Sequence, residues 1–298
     1  MADLMTEQII LDIGSIGFGV QSTGMLWLAA KGEIPKADKY VFSDLHREGQ
    51  AVYDYIHYIT PILKSEGIEV ERLDAGDIYE EILSWPTADR ISMIPVWFRN
   101  ADGKPQPLNR QCTMDFKIEV IAKSIRSHLG VKRLKRHSIR VWQGISIDEI
   151  DRVKKRTKLF PDDRSSYRVN HYPFIAQYAN ITYPGIKWKS LSREQIVETF
   201  LKDGLKVPPK SSCFFCPFHT IIYWHFIYTK YPLEWELACK LDDSIRNYNT
   251  KYGSLESGPF YLYRGLVPLR EIDFDIELLK QNKNLLFQSG CETGFCHS

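Results

Sequence analysis

No stretch of this 298-residue chain approaches the roughly 20 consecutive apolar residues that a membrane-spanning helix requires, so the sequence predicts no membrane partner. The first residues have neither the basic start nor the apolar core of a secretory leader, which gives the expectation of a cytoplasmic protein. A dominant charge is missing too: 39 Lys and Arg against 37 Asp and Glu leave +2, which does not mark the whole chain as a nucleic-acid binder. No repeat or low-complexity linker interrupts it, and 44% hydrophobic residues can bury a substantial core, which excludes a disordered chain. Cysteines are few, six in all, and without a secretion signal they are expected as thiols, metal ligands or catalytic groups rather than a disulfide framework. Neither a Gly-x-Gly-x-x-Gly fingerprint nor the Gly-Lys-Ser/Thr ending of a Walker loop opens the chain, so the ordinary dinucleotide and P-loop readings fit poorly.

What does open it is a glycine-rich turn. Gly14, Ser15, Gly17 and Gly19 lie between a strand-like run, Ile9 to Ile13, and a helix-like run that starts near Thr23. Glycines in such a turn let the backbone approach a phosphate, the first helical N–H groups point at it, and Ser22 and Thr23 add hydroxyl donors. That combination suggests a nucleotide; the plainer alternative is a tight turn with an incidental serine cap.

Strand and helix signals then alternate. Strands are expected at 39–43, 68–73 and 139–145, and helices at 23–31, 50–66 and 115–129. The pattern predicts an α/β fold with a doubly wound parallel sheet, whose ligands lie outside the carboxyl ends of the strands. Asp44 and His46 follow the second strand, and Ser146, Asp148 and Glu149 follow the fourth. From about residue 160 the alternation fades into aromatic-rich loops and helices, at 193–203 and 233–247. The expected organisation is a nucleotide-binding domain over 1–160 with a helical, loop-rich extension over 161–298 packed on it.

Two cysteine pairs, Cys213 with Cys216 and Cys291 with Cys296, have the spacing to close a four-thiolate metal site, and Pro217 after Cys216 resembles the endings of iron–sulfur ligand runs. The spacing leaves structural zinc and a [4Fe-4S] cluster both open. Cys112 stands apart in sequence, flanked by Arg110 and Lys117, whose charges would favour a nucleophilic thiolate if they converge on it; the alternative is a small buried hydrophobe. Cys239 reads as core, and His219 could replace a thiolate at the metal. Basic runs at 132–136 and 152–156 are either solvated helix faces or contacts to nucleic acid. Trp142, Trp224 and Trp235 read as packing residues.

In this layout the chain resembles the N-type ATP pyrophosphatases, or adenine nucleotide alpha hydrolases, and within them the phosphoadenosine phosphosulfate reductase-like branch of bacteria and phages. The resemblance rests on Ser15–Thr23, Phe42–Asp44, Asn109–Ile118, Trp142–Glu149, Pro208–Phe218, Tyr263–Leu269 and Cys291–Cys296, in the expected order along nearly the whole chain. It implies a Rossmann-like sheet of the HUP type. It also implies cleavage of ATP between its α and β phosphates, with adenylation of a carbonyl oxygen that a nitrogen or sulfur nucleophile then displaces. The residues it points to are Ser15, Gly17, Gly19, Gln21, Ser22, Thr23 and Gly144 for the nucleotide, Asp44, Asp148 and Glu149 for Mg2+ or ribose, and Arg110, Lys117 and Cys112 for catalysis. The usual loop reads Ser-Gly-Gly-x-Asp-Ser, and here Gly17, Phe18 and Gln21 replace its Ser, its first Gly and its Asp. The implied function is nucleobase modification such as thiolation, with DNA or tRNA as substrate, a sulfur-donor protein and a homodimer as partners, and the cysteines leaning toward the cluster. The alternatives are a phosphosulfate reductase that attacks sulfur through a thiol, and a binding module that kept the cradle and lost turnover.

Overall fold

The computed structural model describes residues 11–84, 94–132, 139–153, 168–178, 188–248 and 259–285. The chain divides into two compact units, each assembled from separated stretches: Met1–Asp44, Ala51–Asp74 and Val120–Ser211 form the first, and Leu45–Gln50, Ala75–Glu119 and Ser212–Ser298 the second.

The described strands are β1 (Leu11–Ile16), β2 (Lys39–Asp44), β3 (Val70–Asp74), β4 (Trp97–Arg99), β5 (Pro105–Pro107), β6 (Ile139–Gln143) and β7 (Arg168–His171). The helices are α1 (Val20–Ala30), α2 (Gln50–Ser65), α3 (Ile78–Leu83), α4 (Glu119–His128), α5 (Arg193–Lys202), α6 (Ile221–Lys230), α7 (Pro232–Ile245) and α8 (Phe274–Leu285).

In the first unit five parallel strands lie in the order β3-β2-β1-β6-β7. This is the expected α/β class with a doubly wound sheet. The central strands β1, β2 and β6 carry buried apolar residues on both faces because both are covered. Ile13, Val41, Ile139 and Val141 pack on Ile121 and Ile125 of α4. Phe42 and Trp142 pack on the opposite side with Met25 and Leu26 of α1, Val52 and Ile59 of α2, and Ile196 and Phe200 of α5. The α5 helix starts where its sequence says it should, since Ser192 and Gln195 cap each other's backbone. The chain leaves β1 toward β2 on one side and continues from β6 to β7 on the other. The order therefore reverses between β1 and β6, and the loops 17–19 and 144–146 leave the carboxyl ends of those two strands.

Besides the short elements α3, β4 and β5, which the sequence does not announce, two features differ from the sequence expectation. β7 adds a fifth strand at 168–171, and four residues reading Arg-Val-Asn-His are too short a run for alternation to register. The helix expected from 115 begins as a π-helical turn, Met114–Ile118, before α4.

The second unit buries Ile78 and Tyr79 of α3, Phe116, Phe214, Phe215, Trp224 of α6 and Leu241 of α7 around Phe260 and Leu262. Cys239 belongs to this core. Asp242 is buried there with every need met: it accepts from Leu262 N (2.7 Å) and Leu269 N (3.0 Å) and pairs with Arg246. The β4–β5 hairpin is antiparallel, and Trp97 and Tyr261 exchange both backbone bonds at 2.8 Å. Among the described residues no helix is long and apolar enough to cross a membrane.

Candidate functional site

The turn after β1 presents backbone N–H groups. Gly19 caps α1 in an extended conformation without any side-chain cap, so the N–H groups of Val20, Gln21 and Ser22 have no acceptor one turn earlier. They form the positive end of the helix, the arrangement that holds anions. The hydroxyl of Ser22 accepts from Gly17 N (3.2 Å) and donates to Gly19 O (3.3 Å), which holds the turn closed. Thr23 is fully buried, its hydroxyl without a hydrogen-bond partner. Donors here are therefore N–H groups, while the two hydroxyls expected to join them shape the turn or lie beneath it.

Added Cβ atoms would make close contacts in this turn. A Cβ on Gly17 would lie 3.1 Å from Ser211 Oγ, and one on Gly19 3.3 Å from Ser211 Cβ. A Cβ on Gly144 would stand 2.7 Å from the backbone of Gln21, so the loop after β6 touches the first turn of α1 through bare backbone. Ser15, in β1, lies level with Val41 and Gln143 of the neighbouring strands. Ser211 was not foreseen as a neighbour of the turn; its place in the Pro208–Phe218 block is the signal that could have found it. Phe18, where the usual loop has glycine, takes the left-handed conformation (φ 57°), and its buried ring packs edge-on against Phe42 at 5.2 Å.

Each carboxylate expected to serve magnesium is engaged by protein. Asp44 is buried, accepts from Tyr53 Oη (2.8 Å) and pairs with Arg72. Asp148 accepts from Ser146 Oγ (3.1 Å) and from the backbone N of Arg193 (2.5 Å) at the start of α5. Glu149 accepts from Gln21 Nε2 (3.3 Å) and Arg152 Nη1 (2.9 Å) on one oxygen. Among the described residues no group of three His, Cys, Asp or Glu side chains stands together as a metal site.

In the second unit the thiols share a charged neighbourhood. Segments 47–49 and 212–214 pair antiparallel, through Gly49 N to Ser212 O and Phe214 N to Arg47 O, both 3.1 Å, which sets Glu48 opposite Cys213. Glu48 is buried; one carboxylate oxygen accepts from Lys117 Nζ at 3.3 Å and the other has no hydrogen-bond partner. Burial pushes the Cys213 thiol well above its ordinary range, and Glu48 pushes it further while Lys117 opposes. Burial draws Lys117 down, but Glu48 and then Cys213 hold it above its usual value. Arg110 is an exposed residue; desolvation of its guanidinium draws on it, and Cys216 and Cys112 hold it above its usual value. The two cations therefore divide: Arg110 serves Cys112 and Cys216, whereas Lys117 turns to Glu48 and Cys213. Cys112 is not apart from the pair, as its sequence position suggested. Glu48 was missed; a charged residue just past the second strand was the available signal.

Cys112, Cys213, Cys216 and Cys239 are in no disulfide. Cys213 and Cys216 close a turn (Cys216 N to Cys213 O, 3.1 Å), and the His219 ring donates Nε2–H to Cys213 O at 2.9 Å, which turns that nitrogen away from metal ligation. Cys291 and Cys296 lie outside the described residues, as do 133–136 and 154–156 of the two basic runs.

No protein-family model matches this chain, and no curated protein matches it. Among solved structures it is similar to the U34-tRNA thiolase NcsA from Methanococcus maripaludis with its [4Fe-4S] cluster, at 13% identity and a TM-score of 0.35, over 98% of this chain and 77% of that one. A likeness of that size carries no argument for fold or function.

Proposed function

We propose that this chain is an ATP-dependent enzyme that cuts ATP between the α and β phosphates and places the adenylate on a substrate carbonyl, for nucleobase modification such as thiolation. The observation that carries the reading is the turn 17–19 at the reversal of the sheet, where three helix N–H groups stand without acceptors and Gly144 touches Gln21 backbone to backbone. The residues present fit a phosphate chain there: Gly17 and Gly19 put no side chain into the turn, and α1 has no side-chain cap that would compete with an anion. Bound ATP would supply the leaving group that makes a carbonyl carbon open to attack.

The thiols of the second unit supply the nucleophile class. Cys112, in hydrogen-bond contact with Arg110, is the proposed nucleophile or sulfur carrier. Cys213 and Cys216, with Cys291 and Cys296, are proposed to hold a metal, a [4Fe-4S] cluster or zinc. A nucleic acid, DNA or tRNA, is the proposed substrate, since the runs at 132–136 and 152–156 are basic; its binding should then weaken steeply with salt.

Product analysis tests the reading. The full chain, purified anaerobically and incubated with ATP, magnesium and RNA or DNA, should release AMP and pyrophosphate. Release of sulfite and adenosine bisphosphate from a phosphosulfate substrate, with ATP untouched, would replace this reading with a reductase.

A further inference from the structure

The carboxylate nearest the glycine turn is already committed to an arginine. Gln21 sits in the first turn of α1, and its amide donates to Glu149 Oε2 at 3.3 Å. The same oxygen accepts from Arg152 Nη1 at 2.9 Å. Both distances together keep that guanidinium nitrogen within about 6 Å of the Gln21 amide. The contact is built rather than incidental. Gly144 presses on the Gln21 backbone with no room for a Cβ, Asp148 ties the same loop to the start of α5, and Arg152 follows Glu149 by one helical turn. The Glu149 side chain is 11% exposed and that of Arg152 36% exposed, so the acid is enclosed while the guanidinium reaches solvent beside the turn.

Charge decides what this arrangement can do. Glu149 and Arg152 balance one another and Gln21 is neutral, so these three leave the positive end of α1 unopposed, while the neighbouring Asp148 carboxylate is turned to Ser146 Oγ and the Arg193 N–H. An acid at position 21, as in the usual loop, would turn that balance negative and require a metal ion before a phosphate could approach. Gln21 adds no negative charge there, and beyond the Nη1 given to Glu149 the guanidinium carries further N–H groups whose geometry matches phosphate oxygens.

We infer that Arg152 is a phosphate-binding residue of this turn, and that Glu149 is a positioning residue holding it there rather than a magnesium ligand. The inference rests on the phosphate reading of the turn given above.

Equilibrium titration of the full chain with ATP and with pyrophosphate, in EDTA and in magnesium, tests it. Arg152→Ala should weaken both ligands about ten- to a hundredfold, and its melting temperature should fall because the enclosed Glu149 loses its counter-charge. Arg152→Lys should retain part of the binding, and it keeps the test open should the alanine variant not fold. Glu149→Gln should weaken pyrophosphate by a smaller factor and leave the magnesium dependence as it was. Gln21→Asp should make binding depend on magnesium. If the parent binds both ligands and Arg152→Ala binds them within about twofold of it, the inference is overturned while the phosphate site stands. Loss of magnesium dependence in Glu149→Gln alone would equally overturn it. A parent that binds neither ligand removes the site itself, and the inference with it.

Discussion

Glu48 and Cys213 face each other as a non-hydrogen-bonded antiparallel pair, with Lys117 Nζ 3.3 Å from the Glu48 carboxylate. In such a pair the two side chains share one face at close range. The second unit thus places a carboxylate against a thiol and neutralises it with one lysine. The two charges differ in exposure: the Glu48 side chain is fully buried, whereas that of Lys117 is one-third exposed, 33%.

That asymmetry orders two substitutions. Lys117→Met strands the enclosed Glu48 anion without its counter-charge, and the unfolding free energy should fall by about 3 kcal/mol. Glu48→Gln leaves a lysine that can turn to water, and the loss should be about 1 kcal/mol. Urea unfolding of both variants checks the order. Equal losses would mean that Glu48 is not enclosed as described.

Phe18 sets strain against packing. A non-glycine residue at φ 57° carries roughly 1–2 kcal/mol of strain, whereas burying a phenylalanine side chain contributes about 3–5 kcal/mol relative to alanine. Packing is the larger effect. Phe18→Ala keeps the strain and loses the ring, and Phe18→Gly loses both. The glycine variant should therefore be less stable than the parent but more stable than the alanine variant by about 1 kcal/mol, measured by denaturant midpoint.

Local physics made the first half of this fold readable. Gly17 and Gly19 with flanking apolar runs mark β1, the turn and α1 within 20 or so residues, and alternation of period 2 and 3.6 orders the next elements. The positions of Asp44, Asp148 and Glu149 at strand carboxyl ends follow from that order. What each carboxylate does there was not readable, because Asp44 meets Arg72 28 residues on and Asp148 meets Arg193 45 residues on. The Glu48–Cys213 pairing joins single residues 165 apart through one isolated bridge, for which no periodicity exists. The hydroxyls of Ser22 and Thr23 show a different limit: sequence identifies a donor but not which way it faces.

Gly144→Ala tests the contact between the two loops of the sheet. A Cβ there would lie 2.7 Å from the Gln21 carbonyl carbon and oxygen, backbone atoms that cannot rotate away. The overpacking should lower stability by about 1–3 kcal/mol and weaken ATP together with pyrophosphate. Gly32→Ala is not a useful control, since that glycine has φ 72°; Ala30→Gly at the end of α1 is the milder comparison. ATP affinity unchanged in Gly144→Ala would separate the β6 loop from the phosphate site.

His171 gives the pH dependence of the first unit. It is fully buried at the end of β7, its ring 4.5 Å from Trp142 and 4.9 Å from Trp188, with neither nitrogen hydrogen-bonded. Burial, aided by Arg140 and opposed by Asp12, brings its pKa from 6.5 down to about 3. The folded state therefore keeps the ring neutral while the unfolded chain takes up a proton below 6.5. Stability attributable to this residue is present above pH 6.5 and is lost as pH falls from there toward 3, by about 1.4 kcal/mol per pH unit at the steepest. His171→Phe removes the proton-binding group and two unsatisfied buried nitrogens while keeping an aromatic ring between the indoles. Its unfolding free energy at pH 7 should match or exceed the parent's, and its decline between pH 6.5 and 4.5 should be shallower by about one proton's worth. Parallel curves for parent and variant would show that the imidazole is charged, or solvated, in the fold.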